Sequence, residues 1–78
     1  MYAIEYSSKA RKFLEKLDKY ILVRILDRIE RLKLTQIPSD SKFIGRDAGE
    51  KVFRYRIGDY RVLYKVKEQE KIVLISKI

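Results

Sequence analysis

The chain has 78 residues, of which 19 are basic and 11 acidic, giving a net charge of +8, and it contains neither cysteine nor histidine. Disulfides, thiolate chemistry, the usual neutral-pH acid/base and the commonest zinc ligand are therefore excluded. With 38% charged and 46% hydrophobic residues, it reads as one small folded domain close to the lower size at which an apolar core suffices, and its positive excess favours a polyanionic partner, nucleic acid or an acidic protein.

Tyr2 to Tyr6 alternates weakly and is rich in β-formers, which predicts a short first strand. Ser7 or Ser8 is positioned to cap a following helix, in which Ala10, Phe13, Leu14 and Leu17 make an apolar stripe at three- and four-residue spacing. Leu22, Ile25, Leu26, Ile29 and Leu32 make a second stripe. No Gly or Pro separates the two, so one bent helix from Ser8 to Leu34 is an alternative, but a helical hairpin with Asp18 as second N-cap suits so small a domain better. Ile37-Pro38-Ser39-Asp40-Ser41 ends the helical region. Lys9, Arg11, Lys12 and Lys16 leave the first helix basic on its outer side, either a second patch for a nucleic-acid backbone or a solubilising face.

From Lys42 the period becomes alternating. The reading is a short strand from Lys42 to Ile44, a loop over Gly45-Arg46-Asp47-Ala48-Gly49, and then the hairpin FRYRIGDYRVLYKVK from Phe53 to Lys67. Gly58-Asp59 suits a type II′ turn, which pairs Ile57 with Tyr60 and Arg56 with Arg61. One face carries Arg54, Arg56, Arg61, Lys65 and Lys67; the other carries Phe53, Tyr55, Ile57, Tyr60, Val62, Tyr64 and Val66 and is the natural core side. Tyrosines at 55, 60 and 64 are thus core residues before they are base-stacking platforms. A connector over Glu68 to Lys71 leads to a last strand, Ile72 to Ile75, apolar on both faces and hence central or helix-covered. The order gives a two-layer α+β domain over residues 1–78: an N-terminal strand, a helical hairpin, then an antiparallel sheet.

The arginine cluster is the one constellation with chemical content. Guanidinium groups are planar, permanently charged and hold phosphate through paired hydrogen bonds, so Arg54, Arg56 and Arg61 on a rigid ribbon form a phosphate cradle. Two of them face each other across the strands, an arrangement that an anion would relieve. The alternative is a solvated face whose arginines pair with Glu50 or Asp59. No acid pair sits in apolar surroundings, and no metal spacing, nucleoside-triphosphate loop or nucleophile elbow occurs, so neither a metal nor a small-molecule cofactor is expected.

The segment FRYRIGDYRVLYKV, with the strand-helix-helix-sheet order, resembles the RelE/ParE toxin superfamily and within it the RelE-type messenger RNA interferases. The resemblance implies a RelE-like β-α-α-β-β-β fold and the toxin of a type II toxin-antitoxin system. Such a toxin enters the ribosomal A site, cuts messenger RNA and is silenced by a cognate RelB-like antitoxin. It further implies Arg54, Arg56 and Arg61 as the catalytic residues on the scissile phosphate, with Lys42, Arg46 and Lys65 as further RNA contacts. RelE-type members usually continue past the last strand into a tail bearing Arg and often His or Tyr, whereas this chain stops at Ser76-Lys77-Ile78. The expectation is a cradle without an evident proton-transfer group, hence a truncated or impaired interferase. The alternatives are a ParE-like toxin that inhibits gyrase or acts by binding alone, and a small basic ribonucleoprotein component. With no run of ~18 apolar residues and no signal-peptide stretch, a cytoplasmic location and no membrane partner are expected.

Overall fold

A computed structural model describes residues 1–78. Strand β1 (Ala3–Tyr6) leads into helix α1 (Ser8–Glu15) and helix α2 (Lys19–Glu30), followed by one 3-10 turn (Arg31–Lys33). Strands β2 (Ser41–Asp47), β3 (Glu50–Ile57), β4 (Tyr60–Lys67) and β5 (Ile72–Lys77) complete the chain. They form one five-stranded sheet in the order β1-β5-β4-β3-β2, antiparallel throughout except for the parallel pairing of β1 with β5. No helix is long and apolar enough to cross a membrane.

The helices break where the sequence places the break. Ser7 caps α1, its Oγ accepting from the Ala10 N–H at 3.1 Å, while Asp18 takes the N-cap position of α2 without a side-chain capping bond. Helix α2 and the 3-10 turn after it are held by packing: Ile25, Ile29 and Leu32 are buried against the sheet together with Ala10 and Leu14 of α1. Opposite them stand Phe53, Tyr55, Ile57, Val62, Tyr64, Val66, Val73 and Ile75, all buried. This is the helix-covered face expected from the alternation of the hairpin, and it leaves the other sheet face open.

Buried tyrosines tie the connector between α2 and β2 to the sheet. Tyr64 donates from its hydroxyl to the Gln36 carbonyl at 2.8 Å, and burial pushes its pKa up to about 12. Arg28 donates from Nε and Nη2 to the Tyr55 hydroxyl at 3.2 and 3.1 Å and pairs with Asp40 at 3.2 Å. The Tyr55 hydrogen bond and the facing acids hold the Arg28 guanidinium above its ordinary pKa.

The expected loop at Gly45 to Gly49 is mostly strand. β2 continues to Asp47 and turns through Ala48 and Gly49, both at positive φ (53° and 83°). That is the mirror-image turn preferred in two-residue hairpins, with alanine in a place where Asn or Asp is the usual signal.

Candidate nucleic-acid interface

The hairpin register brings the arginines together. Ile57 pairs with Tyr60, Arg56 with Arg61 and Arg54 with Leu63. Gly58 has φ +58°, the left-handed value that the first position of a type II′ turn requires. Since Ile57–Tyr60 closes the two-residue turn, Arg56–Arg61 is the non-hydrogen-bonded kind of pair, in which facing side chains come closest. Lys42 lies opposite Arg54 on β2 and shares its face.

Arg54, Arg56, Arg61 and Lys42 form no ion pair, and the polar partner of Arg56 is the Gly58 carbonyl, 3.3 Å from its Nε. Neither Glu50 nor Asp59 takes up an arginine of the cluster, although Asp59 lies along the same groove. The arginines of the hairpin thus stand on one solvent side with their charge uncompensated by the fold. Arg54 is partly buried; Arg56 and Arg61 are exposed.

Two bulges decide what else joins them. In β2 the register shifts between Phe43 and Gly45, so Arg46 pairs with Lys51 on the helix-covered side of the sheet. There its Nη1 donates to the Gly49 carbonyl at 3.0 Å, and the structure does not bring Arg46 to the arginine cluster. In β5 the register shifts at Ser76, because Tyr64 pairs with Ile75 but Leu63 with Lys77. Strict alternation would place Lys77 with Val73 and Ile75 on the core side; the extra residue turns it onto the open face beside Leu63. Ser76 holds this bulge by donating from Oγ to the Leu63 carbonyl at 3.1 Å, and its own carbonyl accepts from Ser7 Oγ at 2.9 Å. Lys77 is the one functional candidate absent from the sequence reading.

Lys65 is on the expected face but is engaged. Its Nζ lies 2.6 Å from Asp47 Oδ2, and this bond raises the lysine pKa and lowers that of the aspartate. The arginine end, by contrast, opens into a groove of about 570 Å³ lined by Arg54, Arg61 and Lys77, by Asp59, and by the apolar side chains of Phe13, Ile44, Tyr60, Leu63 and Ile78. A rigid ribbon with clustered guanidiniums above apolar side chains can hold a phosphate and shelter the attached sugar or base. No group of three or more His, Cys, Asp or Glu residues is placed to hold a metal ion.

Known proteins resemble this chain in sequence and in fold. A sequence model of the ParE toxin of type II toxin-antitoxin systems (parDE) matches residues 4–78. RelE1 of Methanocaldococcus jannaschii, a toxin by assignment, is 36% identical over 76 residues, covering 96% of this chain and 84% of the relative. Among solved structures, the RelE-RelB complex of the archaeon Pyrococcus horikoshii OT3 contains a chain that superposes with a TM-score of 0.86 at 28% identity, covering 97% of this chain and 90% of that one. The RelBE2 toxin-antitoxin complex of Mycobacterium tuberculosis gives a TM-score of 0.70 at 29% identity, with 95% and 90% covered.

Proposed function

This chain belongs to the RelE/ParE superfamily of type II toxin-antitoxin toxins, and from that premise we propose that its 78 residues act as a single RelE-type domain that cuts messenger RNA on the ribosome. The observation that carries the reading is the uncompensated set of Arg54, Arg56 and Arg61 on the open face, with Lys77 turned in beside Leu63. These groups grip the scissile phosphate and its neighbours. As the 2′-hydroxyl attacks phosphorus and the 5′-oxygen leaves, the phosphoryl group gains negative charge, which fixed guanidiniums stabilise more in the transition state than in the ground state.

The arginines stay protonated and are poor bases. The chain's role in this reading is electrostatic and geometric: the 2′-hydroxyl proton passes to water or a ribosomal group, the leaving 5′-oxygen takes a proton from the same sources, and cleavage therefore depends on the ribosome. Lys42 adds a backbone contact at the β2 edge. Lys65 joins the RNA surface only when the strand displaces Asp47.

The partner that silences such a surface is an acidic, RelB-like antitoxin segment lying over the cradle. In support, two of the related toxins were solved in complexes with their antitoxins. The site of action is the cytoplasm, where translating ribosomes are.

A second reading, a gyrase-inhibiting toxin, is favoured by the ParE family model and by a cradle whose residues bind anions but offer no neutral base. Ribosome-bound message and DNA gyrase separate the two. The interferase cuts message in the A site of a programmed ribosome and leaves supercoiling unchanged; inhibited supercoiling with intact message selects the second reading.

A further inference from the structure

We propose that the RNA surface continues from the cradle onto α1, where Lys9, Lys12 and Lys16 bind successive phosphates of the same single strand. The inference rests on the reading of the cradle as an RNA site and extends it to a second element of the fold.

At 100° per residue, Lys9, Lys12 and Lys16 form one stripe, on the Phe13 side of the buried Ala10 and Leu14 and away from Arg11. All three lysines are exposed, and none has an acidic partner. Further along the chain Arg28, Arg31 and Lys33 are each paired with an acid, at 3.2, 3.3 and 2.6 Å, whereas Lys19 and Arg24 of α2 are not.

The stripe is joined to the cradle in two places. Phe13, between Lys9 and Lys16 on the helix surface, lines the groove that holds Arg54, Arg61 and Lys77, and meets Tyr60 edge-on with ring centroids 6.0 Å apart. The cap of α1 is fastened to the bulge that presents Lys77, through the 2.9 Å bond from Ser7 to Ser76. A seven-residue span of helix is about 10 Å long, room for two to three phosphates of one strand.

The stripe also discriminates between polyanions. An acidic amphipathic segment needs apolar anchors repeated along its groove, and the only apolar residue at the edge of this stripe is Phe13. A sugar-phosphate backbone needs only the charges.

The test measures binding of the full chain to two fluorescent 2′-O-methyl RNAs, which cannot be cleaved: one of about four nucleotides that fills the cradle, and one of about twelve that reaches α1. For K9Q/K12Q/K16Q the expected result is unchanged affinity for the short RNA. Affinity for the long one falls roughly 10- to 100-fold near 0.1 M salt, and the slope of log K against log salt drops by about 2, or ~0.7 for each lost phosphate contact. Lys→Arg at the same three positions restores the wild-type values.

Unchanged affinity for the long RNA overturns the extension and leaves the cradle reading intact, provided that R54Q/R56Q/R61Q weakens both RNAs. Equal weakening of both RNAs by the lysine variant also overturns it, since that reports only a change of net charge. So does unchanged RNA affinity accompanied by lost binding to a poly-glutamate peptide, which assigns the stripe to an acidic protein segment. If the arginine variant leaves both RNAs bound as tightly as wild type, the cradle reading itself fails.

Discussion

At the turn end of the open sheet face, Arg54, Arg56, Arg61 and Lys77 have no acidic partner, whereas at the opposite end of the same strands Lys65 is held by Asp47 at 2.6 Å and Lys51 by Glu68 at 3.6 Å. The residue types are alike; the neighbours differ. Where an acid is within reach, the fold neutralises its own cation and little potential remains for a ligand. Where two arginines face each other with no acid between them, like-charge repulsion works against folding, and an incoming phosphate relieves it. Stability is therefore given up for binding at one end of the sheet, and binding for stability at the other.

The sharpest way to break this contrast is to remove one cradle arginine. Arg61→Ala lowers ribosome-dependent cleavage by about 100- to 1000-fold, the usual loss when one preorganised charge-stabilising donor is deleted. Denaturant unfolding of the same variant shows stability unchanged or raised by a few tenths of a kcal/mol, because the facing Arg56 loses its like-charged neighbour. Lys65→Ala, at the paired end, changes cleavage by less than about threefold. Equal losses from the two variants would erase the distinction.

Alkaline titration separates the fold from the cradle. The Tyr64 hydroxyl is raised from 10.0 in the unfolded reference to about 12 in the fold, so its contribution is fully present below pH 10 and lost as pH rises to 12. The loss amounts to roughly 2–3 kcal/mol. Tyr64→Phe flattens this part of the stability profile, while cradle arginine variants leave it in place; urea midpoints across the pH range check both.

Leu63→Glu makes the turn end resemble the paired end by setting a carboxylate between Arg54 and Lys77. The expected outcome is about tenfold weaker RNA binding, with stability higher by a few tenths of a kcal/mol. The converse change, Asp47→Asn, releases Lys65 and adds about one phosphate contact, steepening the salt slope of RNA binding by ~0.7. Its cost to folding is present at neutral pH and vanishes in acid. The folded pKa of Asp47 is depressed below 3.8, so the stabilisation is present above that pH and disappears as pH falls through the depressed value. Thermal melts of wild type and D47N converge in strong acid.

Local chemistry made most of the frame legible. Gly58-Asp59 fixed the turn type and with it the Arg56–Arg61 register, and the apolar spacing around Asp18 divided the helices correctly even though Asp18 makes no capping bond. What alternation could not carry was the position of the bulges, because one extra residue reverses the facing of every side chain beyond it. Arg46 left the cradle side in this way and Lys77 joined it. The Ala48-Gly49 turn was hidden because alanine is not a residue that announces positive φ. The parallel pairing of β1 with β5 joins residues about seventy positions apart and leaves no trace in either local sequence. Likewise the Asp47–Lys65 bond depends on β2 continuing to Asp47, where the sequence suggested a loop.

Whether the uncompensated hairpin arginines grip a sugar-phosphate strand is measured most directly by the arginine Nε–H resonances of the protein, followed by NMR during titration with a 2′-O-methyl RNA. Arg54, Arg56 and Arg61 are expected to shift and become protected, while Arg28, Arg31 and Arg46 stay in place. Shifts at Arg46 and Arg31 with the hairpin arginines unmoved would contradict that expectation.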